Sequence, residues 1–191
     1  PAIACTFFEP HFFFQIEILD SDKKIPEIIV KSSFYKMGSA CCDPFFLNLI
    51  KPWQDVLEYK TIFIEIKSSF SSDLGFGSSS AIIAGVSKAL WKFFYPDKKD
   101  FLNEELFWKR IRQSIECIQG RGSGYDVGIQ LYASQNGCIR SFDIWKYENK
   151  VNATLPAVQL CSIPQEILTQ YGCLLKTHIY SDTKSIIQKF E

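Results

Sequence analysis

Lys67-Ser68-Ser69-Phe70-Ser71-Ser72-Asp73-Leu74-Gly75-Phe76-Gly77-Ser78-Ser79-Ser80-Ala81 is the stretch whose reading decides the fold. A strand-like run, Thr61-Ile62-Phe63-Ile64-Glu65-Ile66, leads into it, and a helix-like run over 82–94 leads out. Strand, glycine-serine loop and helix together form a common context for a phosphate site. Glycines allow positive φ and a close approach of backbone to ligand. Free N–H groups at a helix start, with the positive end of the helix dipole, favour a bound anion. Taken alone, the same residues also read as a Ser-capped helix behind a flexible loop.

A second loop changes the balance. Gly120-Arg121-Gly122-Ser123-Gly124-Tyr125-Asp126-Val127 places three glycines within five residues, a tight loop of close approach. Asp126 follows at once and opens a helical run over 127–133. It reads either as a helix-start residue or as a general base beside a phosphate site. Arg121 reads as a partner for an anionic substrate or as a solvated loop residue. Glu116 falls in the last turn of the preceding helix, where an acid opposes the dipole. It is either a solvated surface group or a carboxylate held for a cation.

Composition narrows the classes. The 191 residues are 47% apolar and 22% charged, enough for a sizeable core and a prior of one domain with part of a second. Lys+Arg and Asp+Glu balance at 21 each, which gives no support for a nucleic-acid or acidic-membrane partner. No apolar run approaches the length of a membrane helix. The seven cysteines form no Cys-x-x-Cys pair and read as reduced thiols in a cytoplasmic protein. His11 and His178 are too few and too far apart in sequence for a zinc site. The chain begins with Pro1 rather than Met, and the expectation is an internal piece of a longer polypeptide.

Along the chain, strands are expected over 2–5, 11–19, 27–31 and 61–66, making an antiparallel or mixed sheet. The segment 39–57 is expected to be helical, with Pro44 in the first turn and Pro52 as a break. A helix from Ser79 should carry Ile82, Ile83, Val86, Leu90, Phe93 and Phe94, with Ala81, Ala84 and Gly85 packed close against a sheet. Tyr95-Pro96-Asp97 ends it. Asn103 is expected to cap a second helix with Glu104 and Glu105 in its first turn, a buried stripe of Phe107, Ile111, Ile115 and Ile118, and Gly120 as C-cap. Segments 137–142 and 143–147 read as short paired strands, 172–180 as a strand and 183–190 as a helix start.

Read together, the two loops make the chain resemble the GHMP kinases, the superfamily of galactokinase, homoserine kinase, mevalonate kinase and phosphomevalonate kinase. Gly75-Phe76-Gly77-Ser78-Ser79-Ser80-Ala81 resembles the family's Gly-Leu-Gly-Ser-Ser-Ala-Ala, with Phe for Leu and Ser for Ala. Ser71-Ser72-Asp73 stands near the place of the family's upstream proline. Gly122-Ser123-Gly124-Tyr125-Asp126-Val127, followed by Leu131-Tyr132-Ala133-Ser134, is similar to the Asp loop of mevalonate kinases and still more to that of phosphomevalonate kinases. Pro1-Ala2-Ile3 resembles the tail of the family's first motif, and Ser181-Asp182-Thr183-Lys184 the turn into its C-terminal domain.

The resemblance implies an α+β fold: a GHMP-kinase N-terminal domain over 1–160, a mixed sheet with helices and a left-handed β-α-β unit, then over 161–191 the beginning of a ferredoxin-like C-terminal domain. It implies ATP and Mg²⁺ as cofactors. Gly75, Gly77, Ser78, Ser79 and Ser80 would wrap the ATP phosphates, Ser79 and Glu116 would hold the metal, and Asp126 would orient or deprotonate the acceptor hydroxyl. Arg121, Ser123 and Gly124 would meet the substrate. The expected activity is transfer of the γ-phosphate to a mevalonate-type alcohol or phosphate. The expected partner is that small molecule, with neither nucleic acid nor membrane and with a homodimer as the candidate assembly. The 191 residues alone, without the family's first and third motifs, are expected not to turn over. Alternatives are a catalytically silent ligand-binding or regulatory member of the family, or a kinase for a sugar or amino-alcohol acceptor.

Overall fold

In β4 (Lys60–Ser68), Ile62, Ile64 and Ile66 are buried while the residues between them are half-exposed. That period-2 pattern gives the strand one core face and makes it the centre of a sheet. β2 (Phe12–Asp20) pairs antiparallel to it, with Phe14 opposite Ile66 and Ile18 opposite Ile62. β3 (Glu27–Ser32) pairs parallel on the other side, with Ile28 opposite Ile62 and Val30 opposite Ile64. The sheet is therefore mixed, as expected. The computed structural model from which these positions come describes residues 2–7, 12–32, 43–68, 77–120, 122–136, 142–148 and 155–160.

Parallel neighbours need a crossover. Here it contains α1 (Pro44–Ile50), a 3₁₀ turn (Lys51–Trp53) and α2 (Gln54–Leu57). Asp43 caps α1 by accepting from the Phe45 N–H at 2.8 Å, and Pro44 takes the first position, where its missing N–H costs nothing. The break expected at Pro52 is the 3₁₀ turn. Phe46, Leu49, Trp53 and Leu57 all point into the core.

The second sheet joins β1 (Ala2–Phe7), β5 (Phe142–Glu148) and β6 (Ala157–Leu160), antiparallel, in the order β1-β5-β6. This corrects the paired strands expected over 137–142 and 143–147. Residues 142–148 form one strand, which runs through the expected turn at 142–143 and pairs with 2–7 and 157–160, while 137–141 lie outside the described residues.

α3 (Ser78–Phe94) lies against the first sheet, α4 (Glu105–Gln119) against α1 and α3, and α5 (Tyr125–Asn136) against α3 and the second sheet. Val127 and Leu131 of α5 join the main core, and Ile129 packs with Val158 of β6. In α3 the buried aromatic is Trp91, whereas Phe93 is 54% exposed. The expected cap of α4 is also corrected. Phe101 and Leu102 are buried in a 3₁₀ turn (Phe101–Asn103) that uses Asn103, whose side-chain amide donates to Asp100 at 2.7 Å. Glu104 takes the cap position, and its carboxylate pairs with Lys98 at 2.7 Å. Gly120 ends α4 with φ +78, as a C-cap glycine does.

Arg110 of α4 reaches the crossover. Its guanidinium grips Asp55 at 2.7 and 2.8 Å, donates to the Pro52 carbonyl at 2.7 Å and the Tyr95 hydroxyl at 3.0 Å, and stacks 4.8 Å from the Trp53 ring. Cys117 is a half-buried free thiol. Among the described residues no helix is long and apolar enough to cross a membrane. The strand and helix expected over 172–190, and the whole of 161–191, lie outside the described residues.

Candidate functional site

Gly77 sits immediately before α3 in the left-handed region, φ +73 and ψ +37, a conformation that glycine adopts without strain. A Cβ there would lie 2.9 Å from the Ser80 hydroxyl and 3.3 Å from the Gln130 amide. Having no side chain, Gly77 cannot cap the helix, so the N–H groups of Ser78, Ser79 and Ser80 have no partner within α3. The first internal bond is Ala81 N–H to the Gly77 carbonyl at 2.9 Å. The helix starts one residue earlier than expected, at Ser78.

The three serines differ. Ser79 is exposed and Ser78 half-exposed. Ser80 is 2% exposed and turned inward: its hydroxyl donates to the Gly77 carbonyl at 2.7 Å and accepts from the Gln130 side-chain amide at 2.8 Å. From Ser80, only the backbone N–H is left for the helix start. Gly75 and Arg121 lie outside the described residues.

The second loop is built on close approach. A Cβ on Gly122 would lie 2.7 Å from Ile115 Cγ2, and one on Gly124, at φ +68, would lie 3.0 Å from Ile115 Cδ1. The chain can therefore press against α4 and turn straight into α5. The Gly124 carbonyl accepts the first internal bond of α5, from Gly128. Asp126 is the second residue of the helix, inside its first turn, because α5 starts at Tyr125, earlier than the expected run over 127–133. It is half-buried, and its Oδ1 accepts from the Val127 N–H at 2.9 Å. Ser123 is exposed beside it.

Two cross-links tie α3 to α5. Gln130 reaches Ser80 and, at 3.4 Å, the Gly77 carbonyl. Farther along both helices, the Lys88 ammonium donates to the carbonyl and hydroxyl of Ser134 at 3.2 and 3.0 Å and lies 5.5 Å over the Phe101 ring. The links follow the same order on both helices, 80 to 130 and then 88 to 134, so α3 and α5 run in the same sense. Their N-termini, one behind each glycine loop, open on the same side. Both positive dipole ends are gathered there, with the first-turn N–H groups of α3, while in α5 Asp126 takes up the Val127 N–H.

Burial, followed by the neighbouring charge of Lys92, pulls the Lys88 ammonium below the usual lysine range. Burial, with Asp100 nearby, raises the Tyr132 phenol. Glu116 is exposed in the last turn of α4, and its carbonyl accepts from Gly120 at 2.8 Å. Among the described residues no group of three or more His, Cys, Asp or Glu gathers as a metal cage. The sequence reading missed Gln130 and Lys88. The available signal for Gln130 was a polar side chain amid the apolar run Val127-Gly128-Ile129-Gln130-Leu131.

Residues 45–134 match the family model described as the GHMP kinases N terminal domain. Among solved structures, the crystal structure of L. major mevalonate kinase in complex with R-mevalonate shares the fold at a TM-score of 0.53 and 14% identity. The match covers 83% of this chain and 45% of that one, so the chain spans about half the length of that kinase. No curated protein matches by sequence. The matched segment, 90 of the 191 residues, includes β4, both glycine loops and all of α3 and α4, and over it the chain is similar to the N-terminal domain of the GHMP kinases.

Proposed function

We propose that the protein carrying this chain is an ATP-dependent, Mg²⁺-requiring kinase that phosphorylates an alcohol or phosphate group of a mevalonate-type metabolite, mevalonate or phosphomevalonate. One observation carries the reading: two helix starts behind glycine loops open side by side, and one of them holds a carboxylate. The fit to a nucleotide phosphate is local. Gly77 keeps the cap position empty, so three first-turn N–H groups stay available for anionic oxygens. A side chain at that position would fill the space.

In this reading Gly75, Gly77, Ser78, Ser79 and Ser80 form the phosphate cradle. The exposed Ser79 hydroxyl and the Glu116 carboxylate would hold Mg²⁺, which neutralises phosphate charge when bound. Asp126 orients the acceptor hydroxyl and takes its proton late in the transfer, because phosphoryl transfer asks more for positioning and charge neutralisation than for a strong base. Arg121, Ser123 and Gly124 line the acceptor side, and the Arg121 guanidinium suits a substrate carboxylate or phosphate. Residues 1–160 would form the nucleotide-binding domain and 161–191 the entry to a second one, in a cytoplasmic enzyme that acts as a homodimer.

ADP release by the full-length protein with Mg-ATP tests this, with mevalonate, phosphomevalonate, galactose and homoserine offered in parallel. Turnover with one of the first two, abolished by Asp126→Asn while nucleotide binding persists, is the expected result. Turnover only with galactose or homoserine would reject the mevalonate-type substrate. Silence with all four acceptors would reject the kinase assignment, and an Asn variant as fast as wild type would reject the role given to Asp126.

A further inference from the structure

We infer that Gln130 is a positioning residue for the phosphate cradle, acting through Ser80 and the Gly77 carbonyl to aim the Ser78 N–H. The inference rests on the kinase reading and adds to it a residue outside both glycine loops.

Most helices fix their first turn with a Ser, Thr, Asp or Asn cap, whose side chain consumes a first-turn N–H. α3 has Gly77 there and forgoes that device, which leaves the N–H groups free for a ligand. It also leaves them without a partner that holds their direction. The structure supplies one from the opposite side of the peptide. The Gly77 carbonyl receives the Ala81 N–H at 2.9 Å, the Ser80 hydroxyl at 2.7 Å and the Gln130 amide at 3.4 Å. Gln130 also donates to the Ser80 hydroxyl at 2.8 Å, which commits that hydroxyl's own proton to Gly77.

The peptide joining Gly77 to Ser78 is planar and trans, so its N–H points opposite to its C=O. Holding the carbonyl inward therefore holds the Ser78 N–H outward, toward the side on which the two helices open. Glycine at φ +73 has no side chain to resist rotation of this peptide, so the external hold has a job to do. Because Gln130 lies in the helix that begins with Asp126, the same hydrogen bond sets the cradle relative to the carboxylate. Ser80 is the residue at which the loop departs from the family's Ala, and its hydroxyl is what Gln130 grips.

The test is binding to the full-length protein, by calorimetry, of MgATP and of adenosine, which lacks phosphate. Gln130→Met keeps the length and removes the donor; Ser80→Ala removes the hydroxyl. Each is expected to weaken MgATP by about tenfold, the size of one misdirected charge-assisted hydrogen bond, with adenosine within about twofold of wild type. The double variant should be no weaker than the weaker single, since both changes break one chain of bonds. Unchanged MgATP affinity in Gln130→Met, or an equal loss for adenosine, would overturn the inference and leave the kinase reading standing. A wild-type protein that binds adenosine but gains nothing from the phosphates would overturn both.

Discussion

The ring of Phe14 occupies the space that a side chain on Gly85 would need. A Cβ on Gly85 would fall 2.6 Å from Phe14 Cε2 and 2.7 Å from Cδ2. β2 and α3 thus touch backbone to ring, and the close approach seats α3 on the sheet. Gly85→Ala raises helix propensity by about 1 kcal/mol and still destabilises, because overpacking a tight contact costs about 1–3 kcal/mol. Urea unfolding should show a net loss in Gly85→Ala, partly recovered by adding Phe14→Leu. A more stable Gly85→Ala would show that the ring moves aside freely.

Arg110 and Asp55 pin α4 to the crossover in an unequal pair, for the Arg110 side chain is 4% exposed and that of Asp55 64%. Removing the acid strands a buried cation. Asp55→Ala should therefore cost about 2 kcal/mol, and adding Arg110→Met should give part of it back rather than add to the loss. Strictly additive losses on denaturation would mean that the guanidinium does not need its partner.

The same pair sets an acid limit. Hydrogen bonds from Arg110 hold the Asp55 carboxyl below its ordinary 3.8, against the opposing effect of burial. Since the folded value lies below the unfolded one, the contribution is complete above pH 3.8 and fades as pH falls through the lowered value. Wild type should lose its advantage over Asp55→Ala only in that acid window. An advantage already fading at pH 6 would point to another group.

Lys88 works in the opposite direction. Its ammonium is pulled below the ordinary 10.5, chiefly by burial, so around that range the folded chain carries fewer protons than the unfolded one. Stability then rises with pH until the unfolded lysine has also lost its proton. Compared with Lys88→Met, wild type should gain ground as pH climbs toward 10.5, measured by urea titrations at a series of alkaline pH values. A difference that stays flat across the range would place Lys88 in water.

What the sequence could show follows from how local each cause is. The alternation of Ile62, Ile64 and Ile66 is written in consecutive residues, and β4 was legible from it. Gly77, Gly120 and Gly124 do have positive φ, and each stood beside a helix pattern that asked for it. The start of α4 was misread because burial of Phe101 and Leu102 draws Asn103 into a 3₁₀ turn. β5 was legible as a strand, but its partners at 2–7 and 157–160 were not, because no nearby residue records them. Gln130 could be noticed as polar in an apolar run. Its partner Ser80, 50 positions earlier, could not be named without the packing of α5 on α3.

Gly77 and Gly124 look alike in sequence and both have positive φ, at +73 and +68, yet their substitution should fail differently. Alanine at Gly77 strains the backbone and crowds the Ser80 hydroxyl, disturbing the first-turn N–H groups proposed to hold phosphate. Alanine at Gly124 crowds Ile115 Cδ1 at 3.0 Å and shifts the start of α5, which carries Asp126. In the full-length protein, Gly77→Ala should raise KM for ATP, whereas Gly124→Ala should lower kcat by about a hundredfold with ATP affinity nearly kept, the scale of a misplacement of about 1 Å. Steady-state kinetics at saturating acceptor, with nucleotide affinity measured separately, distinguish the two. If both substitutions change the same parameter by the same factor, the loops act as one unit, and the division between a phosphate loop and a carboxylate loop is wrong.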